Sequence, residues 1–324
     1  MKKFPLIVIG ASAGGVNALR AIVQGFGQKL ESPILIALHV GAYPSILPEL
    51  LVSAGAPAAK HAENGEKICP RQIYIAPPDR HMVVENGCVR LTRGPKVNWA
   101  RPAIDPLFQS AAVHYGTQAI GVILSGTLND GTLGLQAIKR HGGISVVQDP
   151  NDAEYPGMPR SAAHNVEVDY CPKAADIPAL LVRLSVELQR TTERLAQPPK
   201  EESLPMSNGE EFERPVALMC PDCGGALRRR EIGNMVEYRC HIRHAYTAEV
   251  LCAAHFTRVE EALRTAERML NERAELCRQM AASAISQGLT GELESWQAAQ
   301  TQATDRALEV RDLVEREWTQ PPIL

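Results

Sequence analysis

Leu6-Ile7-Val8-Ile9-Gly10-Ala11-Ser12-Ala13-Gly14-Gly15 decides how the front of this chain reads. The apolar run Leu6 to Ile9 has the look of a buried strand, and Gly15 to Phe26 has a helical pattern. Between them, Gly10-Ala11-Ser12-Ala13-Gly14 fits G-x-S-x-G at a strand-to-helix turn. Such a turn needs small neighbours and leaves the serine hydroxyl exposed above the sheet edge. The helix that follows offers N-terminal N–H groups to developing negative charge. The string does not fit G-x-G-x-x-G, because Ser12 stands in place of the middle glycine. Taken alone, the motif fits equally well a glycine turn whose serine caps the helix.

Working outward, Ile34 to Val40 reads as a second strand and Ser45 to Ser53 as a helix. Ile73 to Ala76 is strand-like, and Met82-Val84 and Cys88-Leu91 form a hairpin about Asn86-Gly87. Helices are expected at Ile104 to Tyr115, Gly131 to Arg140 and about Ile177 to Arg194, with strands at Ala119 to Leu124 and Ile144 to Gln148. This alternation predicts an α/β fold, a mostly parallel, doubly wound sheet with helices on both faces.

Residues at the carboxyl ends of neighbouring strands in such a sheet converge on one crevice. His39 ends the second strand and can approach Ser12. His81 is its strongest rival, followed by His164, and a packed or surface histidine is the plain alternative. Asp130, in Ser125-Gly126-Thr127-Leu128-Asn129-Asp130-Gly131, follows another strand and precedes a helix. A carboxylate there can accept the imidazole Nδ1–H and hold the tautomer; alone, it reads better as a helix N-cap, and the case rests on all three residues sharing one edge of the sheet. The order Ser, His, Asp differs from the Ser, Asp, His order of α/β-hydrolases.

The 324 residues carry a formal net charge of −3, which gives no basic field for nucleic acid. The opening apolar run is too short for a secretion signal, and no uninterrupted apolar stretch of about 18 residues predicts a membrane span. Cys69, Cys88, Cys171, Cys252 and Cys277 are scattered, while Cys220, Cys223 and Cys240 cluster. This usage fits a reducing, cytoplasmic setting with one metal site rather than a disulfide framework.

The expected catalytic domain spans residues 1–194, followed by a linker at 195–214 rich in Pro, Glu and Ser. A zinc-ribbon-like Cys/His segment at 215–250 follows, then a helical hairpin at 251–324. Cys220 and Cys223 form a C-x-x-C knuckle, and Cys240 and His244 complete a tetrahedron, with His241 as substitute. Structural zinc is expected there, against unliganded cysteines in a small core. In the hairpin, Phe256, Val259, Leu263, Ala266 and Leu270 repeat at 3-4 spacing, resumed at Cys277, Met280 and Ala284. Gly288 and Gly291 interrupt it before a second helix from about Glu292 to Trp318. The pair packs on itself, or docks a signalling partner or second subunit.

With these motifs assembled, residues 4 to 190 resemble the catalytic domain of CheB-type chemoreceptor methylesterases. The resemblance runs through Ile9 to Gly15, the strand ending in His39, Tyr74-Ile75-Ala76-Pro77-Pro78-Asp79-Arg80-His81-Met82, Arg101-Pro102-Ala103-Ile104-Asp105, Ser125 to Gly131, Gln148-Asp149 and Gly157-Met158-Pro159-Arg160. It implies a triad of Ser12, His39 and Asp130, backbone oxyanion donors at Ala13 and Thr127, and catalysis without a cofactor. It implies as substrate a methylated chemoreceptor or receptor-like helical protein, with glutamine deamidation as the same acyl chemistry. The tail segment resembles rubredoxin-like knuckles found behind some such domains. Three features depart from the family pattern. Leu38 and Val40 flank His39 in place of Gln and Met, and Thr127-Leu128 replaces Met-Gly. The catalytic strand begins within the first ten residues, where the family usually places a receiver domain, so receiver control is expected to be absent. The competing expectation is an inactive scaffold that binds partners through the knuckle and helices.

Overall fold

The structure, a computed structural model, describes residues 4–26, 31–40, 45–194, 215–316 and 318. In chain order it contains β1 (Leu6–Ala11), α1 (Gly15–Phe26), β2 (Ile34–Leu38), α2 (Leu47–Ser53), β3 (Ala59–His61), β4 (Ile73–Ile75), β5 (His81–Glu85) and β6 (Cys88–Thr92). There follow α3 (Ile104–Tyr115), β7 (Ala119–Ile123), α4 (Thr132–Arg140), β8 (Ile144–Val147), α5 (Gly157–Asn165) and α6 (Ile177–Arg194). Among the described residues the main sheet has the order β3-β4-β2-β1-β7-β8, and every pairing in it is parallel. The strand order reverses at β1, so β2, β1 and β7 lie side by side at the centre.

The alternation of strand side chains feeds two cores. Ile7, Ile9 and Ala11 of β1 join a cluster with Leu19 and Ile22 of α1 and Leu181 of α6. Leu6 and Val8 join another with Phe108 of α3 and Ile138 of α4. Each fully buried aliphatic side chain contributes roughly 1.5–3 kcal/mol relative to exposure, so the fold rests on many strand residues rather than one. The largest single loss on the α3 face would come from Phe108→Ala, which leaves a cavity costing about 3–5 kcal/mol.

The helices on both faces and the hairpin at Asn86-Gly87, where Glu85 pairs with Cys88, agree with the sequence reading. Two elements were not expected. β3 is an edge strand whose Ala59, Lys60 and His61 are all half-buried, leaving no apolar alternation to read. α5 is short and carries Pro159 in its first turn, where a missing N–H is tolerated.

Beyond α6, the expected linker at 195–214 lies outside the described residues. β9 (Pro215–Met219), β10 (Ala226–Ile232), β11 (Met235–Cys240) and β12 (Ala245–Thr247) form an antiparallel sheet in the order β12-β11-β10-β9. The first compact unit extends through this sheet to Leu251, and the second begins at Cys252. The Cys/His segment is thus grouped with the parallel sheet, although the sequence suggested a segment apart. The physical reason is that its own core is small: Cys220, Leu227, Cys240, Tyr246, Val250 and Leu251 are completed by Trp99 and Leu128.

The chain then forms α7 (Ala248–Gln287) and α8 (Thr290–Glu315). Gly288, at φ 71°, ends α7 as expected, whereas Gly291 lies inside α8. In the second unit Cys277, Ala281 and Ala284 are buried on α7, and Ala303 and Ala307 on α8. Met280, expected on the buried stripe, is 39% exposed. Arg311 Nε donates to Glu267 Oε1 at 2.8 Å, tying the two helices. Among the described residues no helix is long and apolar enough to cross a membrane.

Candidate active site

Ser12, His39 and Asp130 follow β1, β2 and β7, the three adjacent central strands. The Ser12 N–H donates to Ser125 O at 3.0 Å and the His39 N–H to Ala11 O at 3.1 Å, so backbone bonds fix both loops beyond the strand ends. Gly14, at φ 71°, takes the left-handed turn into α1. A Cβ there would come within 2.6 Å of Ser125 Oγ.

The side chains form a continuous chain of hydrogen bonds. His39 Nδ1 lies 3.2 Å from Ser12 Oγ, and its Nε2 lies 2.7 Å from Asp130 Oδ2. The ring is therefore reversed with respect to the sequence expectation, which gave the Nδ1–H to the carboxylate. With Asp130 ionised, the proton sits on Nε2 and leaves Nδ1 free to accept from the serine hydroxyl.

Asp130 is 2% exposed, yet every lone pair direction has a donor. Its Oδ2 also accepts from Ile104 N–H at 2.7 Å; its Oδ1 accepts from Asn98 Nδ2 at 2.8 Å and from Gly131 N–H at 3.0 Å. Burial alone would push the carboxyl up, but the hydrogen bond and charge of His39, with Ile104 and Asn98, hold it below the usual carboxylate range. Its neighbour Asp105 is raised well above that range by burial, reinforced by the Asp130 charge. The pKa values of two adjacent buried carboxyls are thus pushed in opposite directions, Asp130 down and Asp105 up.

The two expected oxyanion donors lie beside this chain in sequence. Among the described residues no hydrogen bond engages the backbone N–H of Ala13 or Thr127. Ser125 ties the two loops, donating from Oγ to Ala13 O at 2.8 Å and accepting from Tyr155 N–H at 2.9 Å. Leu128 takes a left-handed backbone at φ 62°, the conformation glycine favours, and its side chain packs against the Cys/His segment.

The rival histidines are accounted for. His81 is buried; its Nδ1 accepts from Ala103 N–H at 3.3 Å and its Nε2–H donates to Pro95 O at 3.0 Å. Burial pushes its pKa down, so it is a neutral structural group. His164 is exposed on α5. Arg101 pairs with Asp79 at 2.6 Å and Asp105 accepts from Gly134 N–H at 2.7 Å, so neither caps α3.

A family model described as CheB methylesterase matches residues 7–181, more than half of the chain. The chain belongs to the CheB methylesterase family. A Leptospira interrogans protein named as a protein-glutamate methylesterase/protein-glutamine glutaminase is 40% identical over 187 residues, 56% of this chain and 95% of that protein. A Maricaulis maris protein-glutamate methylesterase/protein-glutamine glutaminase is 37% identical over 183 residues, but the match spans only 46% of its length. The crystal structure of the Thermotoga maritima CheB methylesterase catalytic domain matches with a TM-score of 0.54 and 34% identity, covering 56% of this chain and 99% of that domain. The Cys/His segment and the helical hairpin lie beyond the region the CheB family model matches.

This CheB-family chain carries a second cluster. Cys220, Cys223, Cys240 and His244 bring their ligand atoms within 4.8 Å of one another. Cys223 Sγ is 3.7 Å from Cys240 Sγ, and His244 Nδ1 is 3.6 Å from Cys220 Sγ and 3.5 Å from Cys240 Sγ. A tetrahedral zinc with Zn–S of about 2.3 Å and Zn–N of about 2.0 Å places its ligands about 3.5–3.8 Å apart, so these residues fit the ion. His241, the expected substitute, is not in the cluster; its ring lies against Gly225.

Sequence reasoning missed Asn98, whose amide hydrogens reach both Asp130 Oδ1 and Asp105 Oδ2, at 2.8 and 2.9 Å. A lone asparagine between Val97 and Trp99 carries no motif. Its left-handed backbone, φ 49°, is favourable for asparagine but leaves no sequence pattern.

Proposed function

We propose that this protein is a serine esterase that removes methyl groups from glutamate γ-methyl esters of chemoreceptor-like helical proteins. Ser12 is the nucleophile, His39 the general base and then acid, and Asp130 the group that orients and charge-balances the imidazole. The observation that carries this reading is the unbroken Ser12–His39–Asp130 hydrogen-bond chain at 3.2 and 2.7 Å.

Nδ1 of His39 takes the hydroxyl proton as Ser12 Oγ attacks the ester carbonyl. Negative charge on the tetrahedral oxygen is met by the N–H groups of Ala13 and Thr127. The same Nδ1 proton passes to the methoxide, methanol leaves, and water cleaves the acyl-enzyme by the reverse sequence. A receptor glutamine follows the same path with ammonia leaving, which gives a glutaminase activity without further residues. No step needs a cofactor. Zinc held by Cys220, Cys223, Cys240 and His244 is structural.

Methanol release from a methylated receptor tests the assignment. Ser12→Ala abolishes it while the fold remains; turnover retained in that variant removes Ser12 from the mechanism.

A further inference from the structure

The orienting carboxylate is connected, through buried side chains, to the Cys/His segment. The Asn98 N–H donates to Ala245 O at 2.8 Å, so β12 runs beside the Asn98 segment. Asn98 Oδ1 accepts from Thr247 N–H at 3.1 Å while Nδ2 holds Asp130. Thr247 Oγ1 donates to Asn129 Oδ1 at 2.7 Å, and Asn129 Nδ2 donates to Glu249 Oε2 at 2.7 Å. Asn98, Thr247 and Asn129 are 7%, 1% and 2% exposed, so these are desolvated bonds with no water to replace them. One threonine thus grips both the residue that holds the Asp130 carboxylate and the residue that precedes Asp130.

The apolar contacts converge on the same loops. Trp99 and Leu128 have left-handed backbones, at φ 61° and 62°. A non-glycine residue there costs of order 1–3 kcal/mol and persists only where surroundings impose it. Both side chains pack into the cluster that contains Cys220 and Cys240. At the other end, β12 begins immediately after His244, and Tyr246 places its hydroxyl 3.3 Å from Cys220 Sγ and 2.6 Å from Asp222 Oδ2. The four ligand atoms lie within 4.8 Å of one another, so an ion bound there would add a tie between the start of β12 and the Cys220 knuckle.

We propose that the Cys/His segment is a clamp on the Asp130 loop, with Asn98 and Thr247 as positioning residues, and that filling its four-ligand site with zinc sets the turnover of the esterase. This rests on the triad reading above. Losing the ion frees β12, which releases Asn98 and the Leu128 loop and lets the Asp130 carboxylate drift from His39 Nε2.

The experiment uses the full chain with zinc bound, then removes the ion with a chelator or by Cys220→Ser with Cys223→Ser. Methanol release is measured together with the downfield proton resonance of the His39 N–H facing Asp130. Loss of zinc lowers kcat about 100-fold, as misplacement of a reacting group by an ångström does. KM stays within about twofold, the resonance disappears, and added zinc restores kcat and resonance to the chelated wild-type chain but not to the double variant. Asn98→Ala retains zinc yet shows the lowered kcat, and chelation lowers it no further. Thr247→Val, which removes only the bond to Asn129, gives a milder loss with zinc retained and carries the test if Asn98→Ala does not fold. A verified metal-free protein that keeps its kcat and its resonance overturns the proposal, as does a zinc-loaded Asn98→Ala with full kcat. The resonance needs no substrate, so a wild-type protein that releases no methanol sinks the esterase reading while the clamp is still tested.

Discussion

The His39 imidazole meets the Asp130 carboxylate through Nε2, 2.7 Å away, and so turns Nδ1 to Ser12. Asp130→Asn keeps the shape but brings an amide NH2 among donors that all point inward. The imidazole then loses its proton-accepting partner, and the tautomer with a free Nδ1 is no longer favoured. The expected result is a fall in kcat of roughly 10,000-fold, measured as methanol release under substrate saturation. A loss smaller than about tenfold would mean the carboxylate is not what holds the base.

Gly126 sits where the Asp130 loop passes Ser12. A Cβ there would collide with Met158 Sδ and come within 2.9 Å of Ser12 Cβ. Methionine can yield, but the serine Cβ is fixed by its strand. Gly126→Ala is expected to lower kcat about 100-fold with a drop of only a few degrees in melting temperature. Parallel kinetics and thermal melts check it; equal damage to both would make the glycine a folding requirement rather than a requirement for serine placement.

His81 links the pH scale to stability. Burial holds its pKa in the folded chain below the unfolded value of 6.5. The unfolded chain therefore binds a proton that the folded chain refuses, and the stability His81 contributes above pH 6.5 is lost as pH falls through its folded pKa. In His81→Gln this decline flattens, so the variant is weaker than wild type at pH about 8 and the gap narrows toward pH about 5. Urea unfolding at the two pH values gives the answer, and a gap that widens on acidification would contradict the neutral, buried assignment.

The Cys/His cluster should bind one zinc per chain. Elemental analysis of protein purified without added metal checks the stoichiometry. The double change Cys220→Ser, Cys223→Ser should remove the ion. Zinc content unaltered by that change would move the site elsewhere.

The centre of the parallel sheet could be read from apolar runs because its inner strands are buried on both faces, as at Leu6 to Ile9 and Ala119 to Ile123. The same topology pointed to the candidate site: Ser12, His39 and Asp130 share one property visible in one dimension, each following a strand. Asn98 shares no such property. Its partners lie at 105, 130, 245 and 247, so only folding brings its role into being. The ring orientation of His39 was likewise illegible, because an imidazole can satisfy the same two neighbours either way round and only the approach of β2 to β1 decides. Leu128, a departure from the family's glycine, carries a meaning set by Trp99 and the Cys220 cluster, far away in sequence.

The shared cluster of Trp99 and Leu128 with Cys220, Cys240 and Tyr246 bears on where this chain can be cut. A shortened protein ending with α6 would keep every strand of the parallel sheet and all three members of the hydrogen-bond chain. It would also bare an indole and an isobutyl group beside Asn98 and Asn129, both on loops bent against their conformational preference. Such a fragment is expected to be sticky and sluggish, and its weakness would say nothing against the intact enzyme.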